Sequence, residues 1–304
     1  MKNSFEGEMS INPEDFQEKE YGKNITIRNF WVRHAQKMSG EITNAEKSAL
    51  STSSISPKGQ EKAVELGKTI KGKKHGAKGY VSVSERTAQT FEKIIEGYQQ
   101  KNPEQPIRRM RLREELSVSL PADFLKIYDG KFSDEKKKIL AERGLTKENF
   151  SKFSPDEQEK IAEAAEEPVL REWLENPQGE LAKLYPPHEA AARFAHLFNK
   201  RHERMAEKLI SGSELDLFHL THKSVSEPFL VSGALIRKSD GEIITTLEQI
   251  GGSLGTLDGW ESSAITDSEG KCQLTVNIRG QEYNVDSQMF RELADEGAEL
   301  NKEK

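Results

Sequence analysis

A single cysteine, Cys272, in a chain of 304 residues excludes an intramolecular disulfide. Because it opens an alternating segment, Cys272 to Ile278, that reads as a strand, it is expected as a packed thiol rather than a reactive one. Long apolar runs are missing too. None approaches the roughly 20 residues that span a bilayer, and the opening, Met1 to Lys23, is polar and acidic without a signal-peptide apolar region. No membrane is therefore expected as a partner, and the expected location is cytoplasmic. Positive charge is not in excess: 45 Lys and Arg against 51 Asp and Glu give a formal charge of −6 and a pI near 5.8. That leaves no electrostatic reason to expect nucleic acid as a partner. Metal-ligand spacing is lacking as well, so His75, His188, His196 and His202 are expected on the surface or on helix faces, with no metal and no cofactor. Gly251 to Gly255 has neither a Lys-Ser/Thr end nor a preceding strand with a following helix, which excludes a phosphate-binding glycine loop in favour of an ordinary one. There is no internal repeat.

What is present is an ordered series of local patterns. Ile25 to Val32 reads as a buried strand, and the run Trp31-Val32-Arg33-His34-Ala35-Gln36 sets an Arg-His pair at its carboxyl end. A cation beside a nucleophilic imidazole in that position can begin a phosphate site. Arg201-His202 repeats the dipeptide inside a long helical pattern, where two solvated side chains are expected instead. Ile55-Ser56-Pro57-Lys58-Gly59 opens a helix with Ser56 as N-cap and Pro57 at the first helical position, after which Ala63, Leu66 and Ile70 recur at helical spacing. A short strand, Gly79 to Val83, leads into Ser82-Val83-Ser84-Glu85-Arg86-Thr87-Ala88-Gln89-Thr90, and Phe91, Ile94, Ile95 and Tyr98 then mark the inner face of a helix. Arg86 thus falls at a strand-to-helix junction, where free backbone N–H groups add to its attraction for an anion. Ile107 to Leu112 is a further strand, and Leu215 to Thr221 another that ends at His222, with His219 on the opposite face.

The alternation of strands and helices implies an α/β fold with three layers, a doubly wound, mainly parallel sheet flanked by helices, whose ligands bind beyond the carboxyl ends of the strands. Residues 1 to 23 read as a flexible arm and 24 to 304 as one domain. Residues 117 to 186 break the rhythm and read as a mostly helical insert, with helix starts at Ser133-Asp134-Glu135, Thr146-Lys147-Glu148 and, as a capping box, Ser154-Pro155-Asp156-Glu157. Its charge fits a solvated surface or a lid over the site equally well. Pro187 to about Ile210 forms a helix leading to the His222 strand, Glu227 to Val231 another, and Cys272 to Val285 a hairpin turning at Arg279-Gly280.

Taken in order, these patterns resemble the histidine phosphatase superfamily, the phosphoglycerate-mutase-like fold. Arg33-His34-Ala35 corresponds to its Arg-His-Gly/Ala box, Ile55-Ser56-Pro57-Lys58-Gly59 to its Leu-Thr-x-x-Gly helix start, and Ser82 to Thr90 to its Ser-Pro-Leu-x-Arg-Ala-x-x-Thr box. Leu112-Arg113-Glu114 and Thr221-His222 supply the acidic segment and the late strand-end histidine. The likeness covers residues 25 to 115 and 187 to 285. It departs from the family where Val83-Ser84 replaces Pro-Leu and where Lys223 follows the last histidine. The resemblance implies a phosphatase in which Arg33, Arg86 and His222 bind the phosphoryl group, His34 attacks phosphorus, and Glu114, or the adjacent Glu115, protonates the leaving alcohol. A small phosphorylated metabolite or a phosphoprotein is the implied substrate. The same pocket would serve a mutase, and a catalytically idle phosphate-binding or scaffold protein is the alternative outside catalysis. Oligomeric state is not legible.

Overall fold

The computed structural model describes residues 20–37, 54–117, 120–146, 150, 152–233 and 235–302. The arm read at residues 1 to 23 falls, up to residue 19, outside them, as does the Lys147-Glu148 part of the helix start read at Thr146. In chain order the elements are β1 (Ile25–Arg33), α1 (Pro57–Thr69), β2 (Ala77–Val81), α2 (Glu85–Lys101), β3 (Ile107–Leu112), a 3₁₀ turn (Glu114–Leu116), α3 (Ala122–Glu142), α4 (Pro155–Glu175), α5 (Glu180–Leu184), α6 (Pro187–Ala206), β4 (Glu214–Thr221), α7 (Lys223–Ser232), β5 (Ile236–Arg237), a 3₁₀ turn (Glu248–Ile250), β6 (Gly259–Thr266), β7 (Cys272–Ile278), β8 (Gln281–Val285) and α8 (Ser287–Leu300).

One eight-stranded sheet, in the order β3-β2-β4-β1-β6-β7-β8-β5, runs through the molecule. The α/β class is that read from the sequence, and the sheet is mixed. Its β3-β2-β4-β1 half is parallel throughout, whereas β6, β7, β8 and β5 pair antiparallel. Alternation along each strand feeds two cores. On one face Trp31, Leu215, Leu217 and Trp260 pack with Phe194 and Phe198 of α6 and Phe229 of α7, while on the other Val32, Val81, Phe218 and Leu220 meet Phe91, Ile94 and Tyr98 of α2. Helices therefore cover both faces, giving three layers. α1 and α2 lie so close that a Cβ at Gly97 would stand 1.9 Å from the Val64 carbonyl oxygen, so only glycine fits there.

Ser56 caps α1 by accepting from Gly59 N, and the Ser154–Glu157 capping box opens α4 in both directions, as the spacing predicts. The turn at Arg279-Gly280 has positive φ at both residues, 51° and 84°, the backbone of a tight type I′ hairpin. Three expectations are corrected. Ser133-Asp134-Glu135 starts no helix but lies within α3, which begins at Ala122 after Pro121; Asp134 pairs with Lys137 along the helix instead of capping it. Arg201 is not solvated but 9% exposed, donating from Nη1 to His219 Nδ1 at 3.1 Å. α7 begins directly after His222, four residues before the expected Glu227. Strand β6 and helix α8 had no counterpart in the sequence reading.

Candidate active site

The parallel register carries the chemistry. Arg33 of β1 stands opposite Thr221 of β4, so the next residues, His34 and His222, emerge side by side beyond the carboxyl ends of two hydrogen-bonded strands. Their ring centroids are 5.2 Å apart at 64°. Val81 of β2 stands opposite Leu220, which brings Ser82 and the start of α2 to the same edge. Ser82 Oγ lies 3.5 Å from His222 Nε2.

Side-chain hydrogen bonds then lock the separate sequence patterns together. Ala35 N donates to Thr90 Oγ1 at 2.9 Å, and that hydroxyl donates to the Arg86 carbonyl at 2.6 Å. Ser56 Oγ donates to Gln36 Oε1 at 2.8 Å, and Ile55 N to Gln89 Oε1 at 2.9 Å. Gly59 is required because a Cβ there would sit 2.8 Å from the Gln36 carbonyl oxygen. Thus Arg33, His34, Arg86 and His222 are brought together, as the sequence order implies.

His34 Nδ1 lies 2.9 Å from the Ala35 carbonyl oxygen, an acceptor only, so Nδ1 carries the proton and Nε2 keeps its lone pair. Burial, then the charges of Arg86, His222 and Arg33, hold its pKa well below the ordinary histidine value. Burial and the same two arginines bring His222 down to about 3. Both imidazoles are therefore neutral at pH 7. Arg86 itself falls to about 10, through burial and the Arg33 charge, and its buried Nε has no hydrogen-bond partner among the described residues. His219 belongs to the core instead. It stacks on Trp31 at 3.9 Å between ring centroids and donates from Nε2 to Asn29 Oδ1 at 3.1 Å.

Glu114, the expected acid, makes no hydrogen bond or ion pair with this cluster among the described residues. It stands exposed on the 3₁₀ turn after β3 and, with Glu115, Ser117, Ser224 and Val225, lines a cleft of about 460 Å³ beside the end of β4. The carboxylates against the cluster come from the insert. Glu163 Oε1 of α4 accepts from Arg33 Nη1 at 3.0 Å, and Glu166 Oε2 lies 3.7 Å from Arg33 Nη2. Glu166 Oε2 also lies 2.7 Å from Nζ of the buried Lys223, and its Oε1 accepts from Tyr128 OH at 3.2 Å. The loop passed over as ordinary also takes part: the Leu254 carbonyl accepts from Arg33 Nη1 at 3.1 Å, and Lys223 donates to Ser253 Oγ at 3.2 Å. Leu254 N donates at 2.6 Å to Glu227, a carboxyl that burial pushes up to about 7. The signal for Glu163 and Glu166 lay in the sequence, since Glu159, Glu163 and Glu166 share one face of a clearly capped helix.

No family model matches the chain, and no curated protein matches it. Solved structures do. The chain is 18% identical to phosphoglycerate mutase from Bacillus anthracis str. Sterne, covering 91% of this chain and 99% of that one with a TM-score of 0.38. It is 12% identical to the phytase from D. castellii over 90% of this chain and 78% of that one, with a TM-score of 0.49. It is 13% identical to phosphoserine phosphatase from Entamoeba histolytica in complex with 3-phosphoglyceric acid, over 86% of this chain and 99% of that one, with a TM-score of 0.39. At this distance, function has to be argued from the site itself.

Proposed function

We propose that this protein hydrolyses phosphate monoesters through a phosphohistidine formed on His34. The observation that carries the proposal is the convergence of two guanidinium groups, one with a buried Nε unpartnered among the described residues, on two neutral imidazoles at adjacent strand ends. Carboxylates of the insert engage Arg33 from one side, and a dianionic phosphoryl group meets the remaining donors of Arg33 and Arg86 in the fork geometry that arginine favours.

His34 needs no deprotonation before attack, because its proton is tied on Nδ1 to the Ala35 carbonyl. Nε2 bonds to phosphorus as the ester P–O bond breaks; the electron pair leaves with the alcohol oxygen, which takes up a proton from solvent water. Water then attacks the same phosphorus, loses a proton, and releases inorganic phosphate and the imidazole. His222 donates a ring N–H to a phosphoryl oxygen, and the dianion favours its protonated form against the two arginines that depress it. Charge stabilisation rests on these side chains rather than on a metal ion. The substrate is a small phosphorylated metabolite or a phosphoprotein.

The test is hydrolysis of an artificial aryl phosphate by the full chain. Activity should persist in EDTA, yield to vanadate and vanish in His34→Ala, and wild-type protein quenched in mid-reaction should carry acid-labile, alkali-stable phosphate on His34. Substantial turnover by the variant would sink the mechanism.

A further inference from the structure

Arginine presents five N–H donors, and the use of each on Arg33 is informative. Both hydrogens of Nη1 are taken, by Glu163 Oε1 at 3.0 Å and by the Leu254 carbonyl at 3.1 Å. Among the described residues, Nε and Nη2 make no hydrogen bond, Glu166 standing too far from Nη2 at 3.7 Å. One nitrogen is therefore anchored, and the edge that grips an anion in two-point fashion keeps its hydrogens free of hydrogen bonds among the described residues, with the Glu166 carboxylate beside it.

The anchor is itself fixed. Glu163 Oε1 also accepts from Thr256 N at 2.9 Å, so donors from β1 and from the loop before β6 meet on one oxygen, while the Thr256 hydroxyl donates to Glu159 Oε1. The side chains of Arg33 and Glu163 are 14% and 32% exposed, so this contact is more sheltered than the surface ion pairs that contribute little. An unanchored Arg33 would have to order a long side chain upon each binding event, at a cost in conformational entropy.

We propose that Glu163, on the insert helix α4, is a positioning residue of the phosphate site: together with the Leu254 carbonyl it holds Arg33 by one nitrogen so that the opposite edge meets the phosphoryl group. The insert is then a structural part of the anion site and not only a cover over it. The proposal rests on the reading of Arg33 as a phosphate ligand. Vanadate inhibition of wild-type protein, and the loss of turnover in His34→Ala, test that reading first and separately.

The experiment measures the inhibition constant for vanadate and KM and kcat for an aryl phosphate in the full chain. Glu163→Ala should weaken vanadate inhibition roughly tenfold or more, the range of a charge-assisted hydrogen bond. KM should rise in parallel, with kcat changing less. Glu163→Gln keeps an oxygen for Arg33 and Thr256 and should recover much of the loss. Glu167→Ala, on the same helix but paired with Arg171, should change neither. Should the alanine variant fail to fold, Glu163→Asp draws the carboxylate back from Arg33 while keeping its charge, and it should weaken vanadate inhibition by a smaller factor. An unchanged inhibition constant in the variants that fold overturns the proposal. So does tighter inhibition, which would mean that the carboxylate competes with the anion for Arg33. A loss that glutamine does not relieve at all overturns it too, because charge rather than anchoring would then be at work.

Discussion

His34 is held neutral by its surroundings, first by burial and then by Arg86, and that order of causes predicts how activity responds to acid. A histidine whose pKa is lowered keeps its lone pair as pH falls through the ordinary value near 6.5, so the acidic limb of kcat/KM should lie below 6.5. Removing a neighbouring cation relieves part of the depression. Arg86→Gln should therefore shift that limb upward towards 6.5 while lowering kcat by roughly 10² to 10³, as for loss of one transition-state charge donor. A limb that stays in place, or moves to lower pH, would show that the Arg86 charge does not reach the imidazole. Both histidines and both arginines were legible in the sequence because each sits at a strand end or helix start that local pattern marks. Arg201 was not. Its partner His219 lies 18 positions away on β4, and nothing in a helical pattern says that a guanidinium will be buried against an imidazole stacked on Trp31.

At the scale of the element, α4 decides how the insert is to be understood. Its capping box was legible, since Ser154 and Glu157 are local, but its destination was not, since Arg33 and Glu163 lie 130 positions apart. The charged face that fitted a solvated surface or a lid equally well packs on the cations of the site through Glu163 and Glu166. Replacing residues 117 to 186 by a short Gly-Ser connection removes both carboxylates together with Tyr128. Activity on a small aryl phosphate should then fall with that on larger phosphate esters, by roughly tenfold or more. Retention of full aryl phosphatase activity by a folded deletion variant would restore the view of the insert as a cover alone. Strand β6 shows a plainer miss: Gly259 to Thr266 alternates buried Trp260, Ser262 and Ala264 with less buried neighbours, but two serines on a short segment dilute the apolar signal.

For the molecule as a whole, the parallel half of the sheet brings His34, His222 and the start of α2 to one edge and the antiparallel half closes its flank, with β1 joining the two. The strand–helix alternation made the α/β class legible. The strand order was not, because β4 enters between β1 and β2 only after more than a hundred intervening residues.

That placement of β1 bears on how the chain is made. Both of its neighbours arrive late: Thr26 pairs with Glu214 of β4, and Ile25 with Thr266 of β6. During synthesis β1 must wait, with Ile25, Ile27 and Trp31 unburied, while nearly two hundred residues are translated before β4 begins. At about 5 to 20 residues per second this is a delay of roughly ten seconds or longer. Pairing so distant in sequence is also intrinsically slow to form. A fragment ending before β4 should therefore show the helices of α1 and α2 by circular dichroism yet aggregate or bind hydrophobic dyes, and a soluble, cooperatively unfolding fragment would contradict this. The strand that leads to His34 is thus among the first segments of the sheet to be made and among the last to find its partners.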